Sequence, residues 1–226
     1  MRRNTEIWIV GGFVIALVIV AALAYFFSGN APSGFKSTQT SPVISSDWSR
    51  GDAAAAVSVI EYGDFECPAC GEYEPIVEQL TQQYGDRVRF VFRNFPLYQI
   101  HPFAMIAAQA AEAAGLQGKF WEMHDLLYKN QNDWSGNTNL SSAQVVSQYF
   151  DAYAQQLGLN VTQFDADINS STVKNKVQHD IDLGNAAQVD HTPTFFINLV
   201  QIPNPSSLAG FQAAIDAALA SSSVAK

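Results

Sequence analysis

The sequence predicts an α/β domain with a helical insertion, preceded by one N-terminal transmembrane helix. Three observations lead there. A strand, a helix and a strand follow one another between Val57 and Phe92, strand character returns at Thr194 to Ile197 after a long helix-like stretch, and Ile7 to Phe27 is 21 residues without a charge.

The uncharged run IWIVGGFVIALVIVAALAYFF is long enough, at about 1.5 Å of rise per residue, to cross a hydrocarbon core of about 30 Å. A cleaved signal peptide is the competing reading, but its apolar region is usually only about 7 to 15 residues, and here Pro32 follows the best small-residue site at Ala31. Residues 1–27 therefore read as an uncleaved anchor. Arg2 and Arg3 precede it and the first base after it is Lys36, which places the N-terminus in the cytoplasm and the rest of the chain outside the cell membrane, as a single-pass protein. Residues 28–46 are rich in Ser, Thr, Gly and Pro and read as a flexible linker. The main domain is expected over residues 47–226.

Within it, VSVIEY (Val57 to Tyr62) reads as a buried strand, and Pro68 to Tyr84 carries Tyr73, Ile76, Val77 and Leu80 at helical spacing. RVRFVF (Arg87 to Phe92) alternates with period two, and strand, helix, strand implies a parallel pair. Four helix-like segments, Phe103–Ala114, Lys119–Tyr128, Ser141–Leu157 and Ser171–Ala187, fill an insertion over about residues 102–188. Thr194 to Ile197 and the weaker Leu199 to Ile202 restore the sheet, and Ser207 caps a last helix through Leu219.

Charge narrows the function. Removing Arg2, Arg3 and Glu6 (net +1) from the chain's −9 leaves −10 for the exported part, which does not suit nucleic acid.

Both cysteines, Cys67 and Cys70, lie in DFECPACGEYEP at the junction of the first strand and helix. A zinc site needs four ligands and would have to recruit two of His101, His124, His179 and His191, none of them spaced from another histidine as paired ligands are, so no metal is expected. A structural disulfide would close only a short loop and remove little unfolded-chain entropy. A reactive dithiol remains. Unpaired N–H groups and the positive end of the helix dipole lower the pKa of a thiol at a helix N-terminus, which makes Cys67 the exposed nucleophile. Pro68 suits the first turn, and Cys70, one turn in, is the shielded second thiol. No cofactor is needed, because the dithiol carries the two electrons.

VSVIEYGDFECPACGEYEP, RFVFRNFPL, HPFAMIAAQAAEAAGLQGKFWEMHDLLY and VDHTPTFFIN occur in this order from about Asp47 to the C-terminus. Together they resemble the DsbA-like, thioredoxin-fold thiol-disulfide oxidoreductases of bacterial envelopes, of the membrane-anchored kind with an inserted helical domain. The resemblance implies that Cys67 and Cys70 are the redox-active disulfide and that the Thr192–Pro193 bond is cis and lies against it, with Thr192 pairing with an extended substrate strand. It implies reduced or misoxidised exported proteins as substrates and a membrane quinone-linked thiol oxidase as reoxidising partner. Disulfide donation is the expected direction; a reductase or isomerase with the same dithiol, or a non-enzymatic chaperone or binding module, are the alternatives.

Glu61, six residues before Cys67, matches a buried acid beneath the second cysteine in related folds. A raised pKa would let it take the proton of Cys70, whereas the bland reading is a strand-end carboxylate paired with Arg89 or Arg93. Strong oxidants of the family carry a histidine where this chain has Ala69, and Glu66 is expected to disfavour a thiolate beside it, so moderated oxidising power is anticipated. Phe65, Tyr62 and Pro193 are read as the rim of a shallow apolar groove for unfolded substrates, with packing as the alternative for all three. His191 is placed near the disulfide or simply tolerated there; His101, His124 and His179 are read as structural, and Phe120, Trp121 and Met123 as packing of the insertion. Asn139, Asn160 and Asn169 meet the N-x-[ST] pattern and are assigned no role.

Overall fold

The computed structural model describes residues 38–224. The expected transmembrane helix and most of the expected linker lie outside the described residues, among which no helix is long and apolar enough to cross a membrane.

Five strands form one mixed sheet: β1 (Trp48–Gly51), β2 (Val57–Gly63), β3 (Val88–Asn94), β4 (Thr194–Ile197) and β5 (Val200–Gln201). Their order is β1-β3-β2-β4-β5, with β2 and β3 parallel and the other neighbours antiparallel. Helix α1 (Pro68–Tyr84) makes the crossover between β2 and β3, and α9 (Leu208–Val224) closes the fold behind Ser207, whose hydroxyl accepts the N–H of Gly210. Between β3 and β4 lie α2 (Ala104–Leu116), α3 (Phe120–Lys129), α4 (Gln131–Trp134), α5 (Ser142–Val145), a π turn over Val146–Phe150, α6 (Asp151–Gln156), α7 (Val161–Ile168) and α8 (Ser171–Ala186).

Successive residues of a strand face opposite sides, and this decides what β2 presents to each layer. Val57 and Val59 pack with Leu80 and Tyr84 of α1, Phe90, Phe195, and Phe211 and Ile215 of α9. Ile60 and Tyr62 pack on the other side with Val177 and Ile181 of α8. Glu61 is in phase with Val57 and Val59, so the strand's own alternation carries a carboxyl into the apolar layer beneath α1. Gly63, at the end of β2, is a glycine of necessity: a Cβ there would stand 2.4 Å from the Phe92 ring.

The insertion has its own core. Ala107, Ala110, Ala111 and Ala114 of α2 are small enough to let neighbouring helices approach closely around Phe120, Met123, Trp134, Phe150 and Phe164. Two of its helices, α4 and α7, escape the sequence reading because they are short, four and eight residues, and the segment expected as one helix over Ser141–Leu157 is interrupted by the π turn.

The largest departure lies at the start of the domain. Residues 38–46 are not a free linker: Gln39 bridges to Val200, the Thr40 N–H donates to Leu199 at 2.9 Å, and the Gln201 N–H donates to Thr38 at 2.9 Å. The cause is Arg93, whose guanidinium is wholly buried. It donates to the Asp47 carboxylate at 2.7 and 3.1 Å, to the Thr40 hydroxyl, to the carbonyls of Ser41 and Pro42, and to the Tyr62 hydroxyl. A buried cation needs this many acceptors, and residues 40–47 supply them from the Thr40 and Asp47 side chains and from two backbone carbonyls, to which composition is blind. Strand β1 also goes unread in the sequence; it is short, and Trp48 anchors it by stacking on Phe120 at 4.6 Å and donating to Glu112 at 2.9 Å.

Removing one partner of a buried ion pair typically destabilises by about 3–5 kcal/mol, because the other charge is left uncompensated. Asp47→Ala in the full chain should lose stability on that scale in denaturant unfolding; a loss below about 0.5 kcal/mol, the range of an ordinary surface substitution, would contradict this role for Arg93.

Candidate active site

Cys67 is the N-cap of α1, in extended conformation (φ −72°, ψ 120°), and Pro68 opens the helix. The Cys67 N–H donates to Asp64 at 3.1 Å and its carbonyl accepts the Gly71 N–H at 3.2 Å, which fixes the first turn. Both thiols are free.

The two sulfurs are unequal. The Cys67 pKa is lowered to about 5, first by the hydrogen bond from the Cys70 thiol; burial opposes this, and the Thr192 side chain and the backbone N–H groups of Cys70 and Ala69 reinforce it. Among the described residues the buried Thr192 hydroxyl has no other partner and so is available to the thiolate, while in the protonated state the Cys67 thiol donates to the Thr192 carbonyl at 3.4 Å. The expected influence of the helix N-terminus is present, but the second cysteine contributes more. Cys70, 1 % exposed, is pushed the other way, well above an ordinary thiol, by burial first, then by its bond to Cys67 and the negative charges of Glu61 and Cys67; the Asp64 N–H, 3.5 Å from its sulfur, opposes them.

Glu61 lies under this pair as a buried acid. Burial, followed by the charge of Cys67, raises its pKa to about 8. The bland alternative fails because Arg93 is committed to Asp47, and Glu61 forms no ion pair among the described residues. Such a carboxyl holds its proton near neutrality and can pass it to or from Cys70. A cavity of about 20 Å³, lined in part by Glu61, Glu74 and His124, has room for about one water beside it.

Around the helix start, Asp64 acts as a hub. Its carboxylate accepts the N–H of Glu66 at 2.8 Å and of Leu97 at 2.9 Å and pairs with His101 Nδ1 at 2.7 Å. Gln131 of α4 donates to the carbonyls of Phe65 at 2.7 Å and Cys67 at 2.9 Å. Glu66 is turned into the insertion, accepting the N–H groups of Phe103 and Gly136, and the main influences on Cys67 come from elsewhere; the repulsion expected of it is not what sets that thiol. These contacts are missed in the sequence reading. Asp64 stands beside the dithiol in the sequence without a pattern that announces its contacts, Gln131 lies in no motif, and only the folded insertion brings Gln131 to the dithiol.

The Thr192–Pro193 bond is cis. Its turn is fixed by the Thr194 hydroxyl donating to His191 at 2.7 Å and by Asn204 donating to Pro193 at 2.6 Å. One expectation needs correction. Phe65 is 1 % exposed and packs on Phe92 and Tyr128, and Tyr62 is fully buried with its hydroxyl 2.6 Å from Thr40, so neither rims a groove: an aromatic ring next to a site gains more by joining the core. His191 points to solvent with its Nδ1 2.7 Å from Asp190. His124, Glu74 and Asp125 bring donor atoms within 4.8 Å of one another, but Asp125 already takes Arg50 at 2.6 Å, and the group reads as an ion-pair cluster.

Comparison with known proteins places this geometry. A family model described as "Thioredoxin" matches residues 45–217. Among solved structures, BdbD from Bacillus subtilis in its oxidised form superposes with a TM-score of 0.69 at 23 % identity, covering 82 % of this chain and 99 % of that one. Wolbachia pipientis alpha-DsbA1 gives 0.69 at 22 % identity, covering 80 % and 95 %. At these identities the likeness is one of fold. Curated relatives include Na(+)/H(+) antiporter NhaA 3 of Salinispora tropica, 39 % identical over 77 % of this chain and 25 % of that protein, and NhaA 1 of Mycolicibacterium vanbaalenii, 37 % identical over 76 % and 26 %. The chain thus spans about a quarter of the length of these relatives.

Alkylation of the reduced full chain should titrate Cys67 with a midpoint near pH 5, against about 8.5 for a free thiol. Thr192→Val keeps the shape, removes the hydroxyl and should move that midpoint upward. A parental midpoint of about 8 or above would contradict the assignment.

Proposed function

The chain belongs to the thioredoxin family, and from that premise we propose that it is an extracytoplasmic protein thiol-disulfide oxidoreductase that donates the Cys67–Cys70 disulfide to reduced exported proteins. The observation that carries this reading is the separation of the two thiols, Cys67 lowered to about 5 and Cys70 raised well above an ordinary thiol. A stabilised Cys67 thiolate stabilises the reduced protein, and a dithiol whose reduced form is stabilised tends to hand its disulfide on.

The proposed exchange runs in two steps. A substrate thiolate attacks Cys67 Sγ, the Cys67–Cys70 bond breaks, and the electron pair stays on Cys70, which takes a proton from the neutral Glu61 carboxyl. A second substrate thiolate then attacks the substrate sulfur, forming the substrate disulfide and releasing Cys67 as a thiolate. Thr192, beside Cys67, offers an edge to an extended substrate strand. Reoxidation by a membrane quinone-linked thiol oxidase completes the cycle in this proposal.

The extracytoplasmic, membrane-tethered placement rests on the uncharged stretch at residues 7–27 and on Arg2 and Arg3 before it. The antiporter function named for the curated relatives supplies no reading for a chain that spans about a quarter of them.

Cys70→Ser in the full chain, its Cys67 first converted to the mixed disulfide with thionitrobenzoate, should pass that bond to a thiol of a reduced, unfolded test protein as thionitrobenzoate leaves, visible as a reducible adduct on a non-reducing gel, and Cys67→Ser treated alike should form none. Full oxidation of the test protein by Cys67→Ser would overturn the reading.

A further inference from the structure

Tyr128 of α3 is a costly choice for the place it holds. Its ring packs among Phe65, Phe92 and His124 and is 6 % exposed, yet its hydroxyl is buried with no hydrogen-bond partner among the described residues. Phenylalanine would fill the same space without an unsatisfied polar atom, and such an atom in a core is destabilising unless another state of the molecule uses it.

Its position suggests that state. Tyr128 borders the groove between α1 and α3 together with Gly71, the residue after Cys70. Its Oη lies 3.0 Å from where a Cβ on Gly63 would stand. Gly63 precedes Asp64, whose N–H contacts Cys70 Sγ. Tyr128 therefore spans the two segments that hold the buried sulfur. Burial, and after it negative charge on Cys70, Glu61, Glu74 and Asp64, holds the phenol's proton well above its ordinary range, so the group remains a donor at neutral pH.

We propose that Tyr128 is a positioning residue for the half of the exchange that passes through Cys70, its hydroxyl directed at the negative charge that appears on Cys70 while Cys67 is held in a mixed disulfide. This rests on the thiol-exchange reading above. When Cys70 resolves such an adduct, Cys67 carries no charge and no longer helps to hold the proton on Glu61, whose carboxylate takes the Cys70 proton; the Cys70 thiolate attacks Cys67 Sγ, and the bond from Cys67 to the other sulfur breaks. The Cys67–Cys70 disulfide forms and the electron pair leaves on the departing thiolate, so no outside oxidant enters. The titratable groups around that event are Glu61 from β2, Asp64 from the loop, Cys67 and Glu74 of α1, and His124 beside Tyr128 on α3. All are retained in a Tyr128→Phe variant, so the difference from the parent isolates the hydroxyl.

The test uses the reduced full chain and dithionitrobenzoate, an aromatic disulfide that releases one coloured thiolate when Cys67 attacks and a second when Cys70 displaces the adduct. A hydrogen bond to a charge is worth roughly one to two pKa units, and the gain in nucleophilicity that accompanies a higher thiol pKa recovers about half of the lost thiolate. Tyr128→Phe should therefore leave the first phase unchanged, slow the second by about three- to tenfold at neutral pH and raise its pH midpoint. A second phase with the parental rate and midpoint would overturn the proposal. So would equal slowing of both phases together with a lowered unfolding transition, which would make Tyr128 a packing residue only. Failure of the parent to release the first thiolate would defeat the exchange reading itself.

Discussion

The hydrogen bond from the Cys70 thiol to the Cys67 sulfur is strongest when Cys70 is protonated and Cys67 charged, and most of the surrounding structure maintains that difference. Cys67 stands at the mouth of α1, where backbone N–H groups and the Thr192 side chain favour charge. Cys70 is one turn deeper, above an acid and behind aromatic rings, where charge is penalised. Two ordinary thiols separated by one helical turn thereby become a nucleophile and a proton-bearing leaving group.

That asymmetry depends on the inserted helices as much as on the sheet. A thioredoxin-type strand-helix junction supplies the helix N-terminus, but the loop before α1 is held by contacts that reach across the chain: Gln131 on the carbonyls of Phe65 and Cys67, Glu66 on the backbone of Phe103 and Gly136, and Asp64 on Leu97 and His101. Each side chain removes an otherwise unsatisfied buried backbone group, which would destabilise the loop at the point where Cys67 must be aimed. The insertion is in this sense part of the site. Arg93 performs the corresponding task at the far edge, drawing residues 40–47 onto the sheet through Thr40, Ser41, Pro42 and Asp47.

What was legible in the sequence was what periodicity and local chemistry encode. The bounds of α1, the parallel β2–β3 pair and the position of the dithiol follow from alternation and helix-start rules applied to a few adjacent residues, whereas a buried Glu61 was implied by the resemblance, with a solvent-facing carboxylate left open beside it. The misses are contacts between residues far apart in the chain. Asp47 and Arg93 are 46 residues apart, and Cys67 and Gln131 are 64 apart; no local pattern announces either. Phe65 was misplaced for a related reason: adjacency to the cysteines suggests exposure, whereas its ring turns into the core between Phe92 and Tyr128. Ala69 lacks the charge that favours the thiolate in strong oxidants of the resembling family, yet Cys67 is still lowered to about 5, because Cys70, Thr192 and the helix N–H groups supply the stabilisation instead.

The central claim is that stabilisation of the Cys67 thiolate makes the reduced protein the favoured state and the oxidised protein a disulfide donor. The most direct test is to equilibrate the full chain with glutathione redox buffers and measure the reduction potential of the Cys67–Cys70 pair. A stabilised Cys67 thiolate should give a value toward the oxidising end, about −120 to −180 mV; a value near about −270 mV would mean that the disulfide, not the thiolate, is the stabilised form, and would contradict disulfide donation.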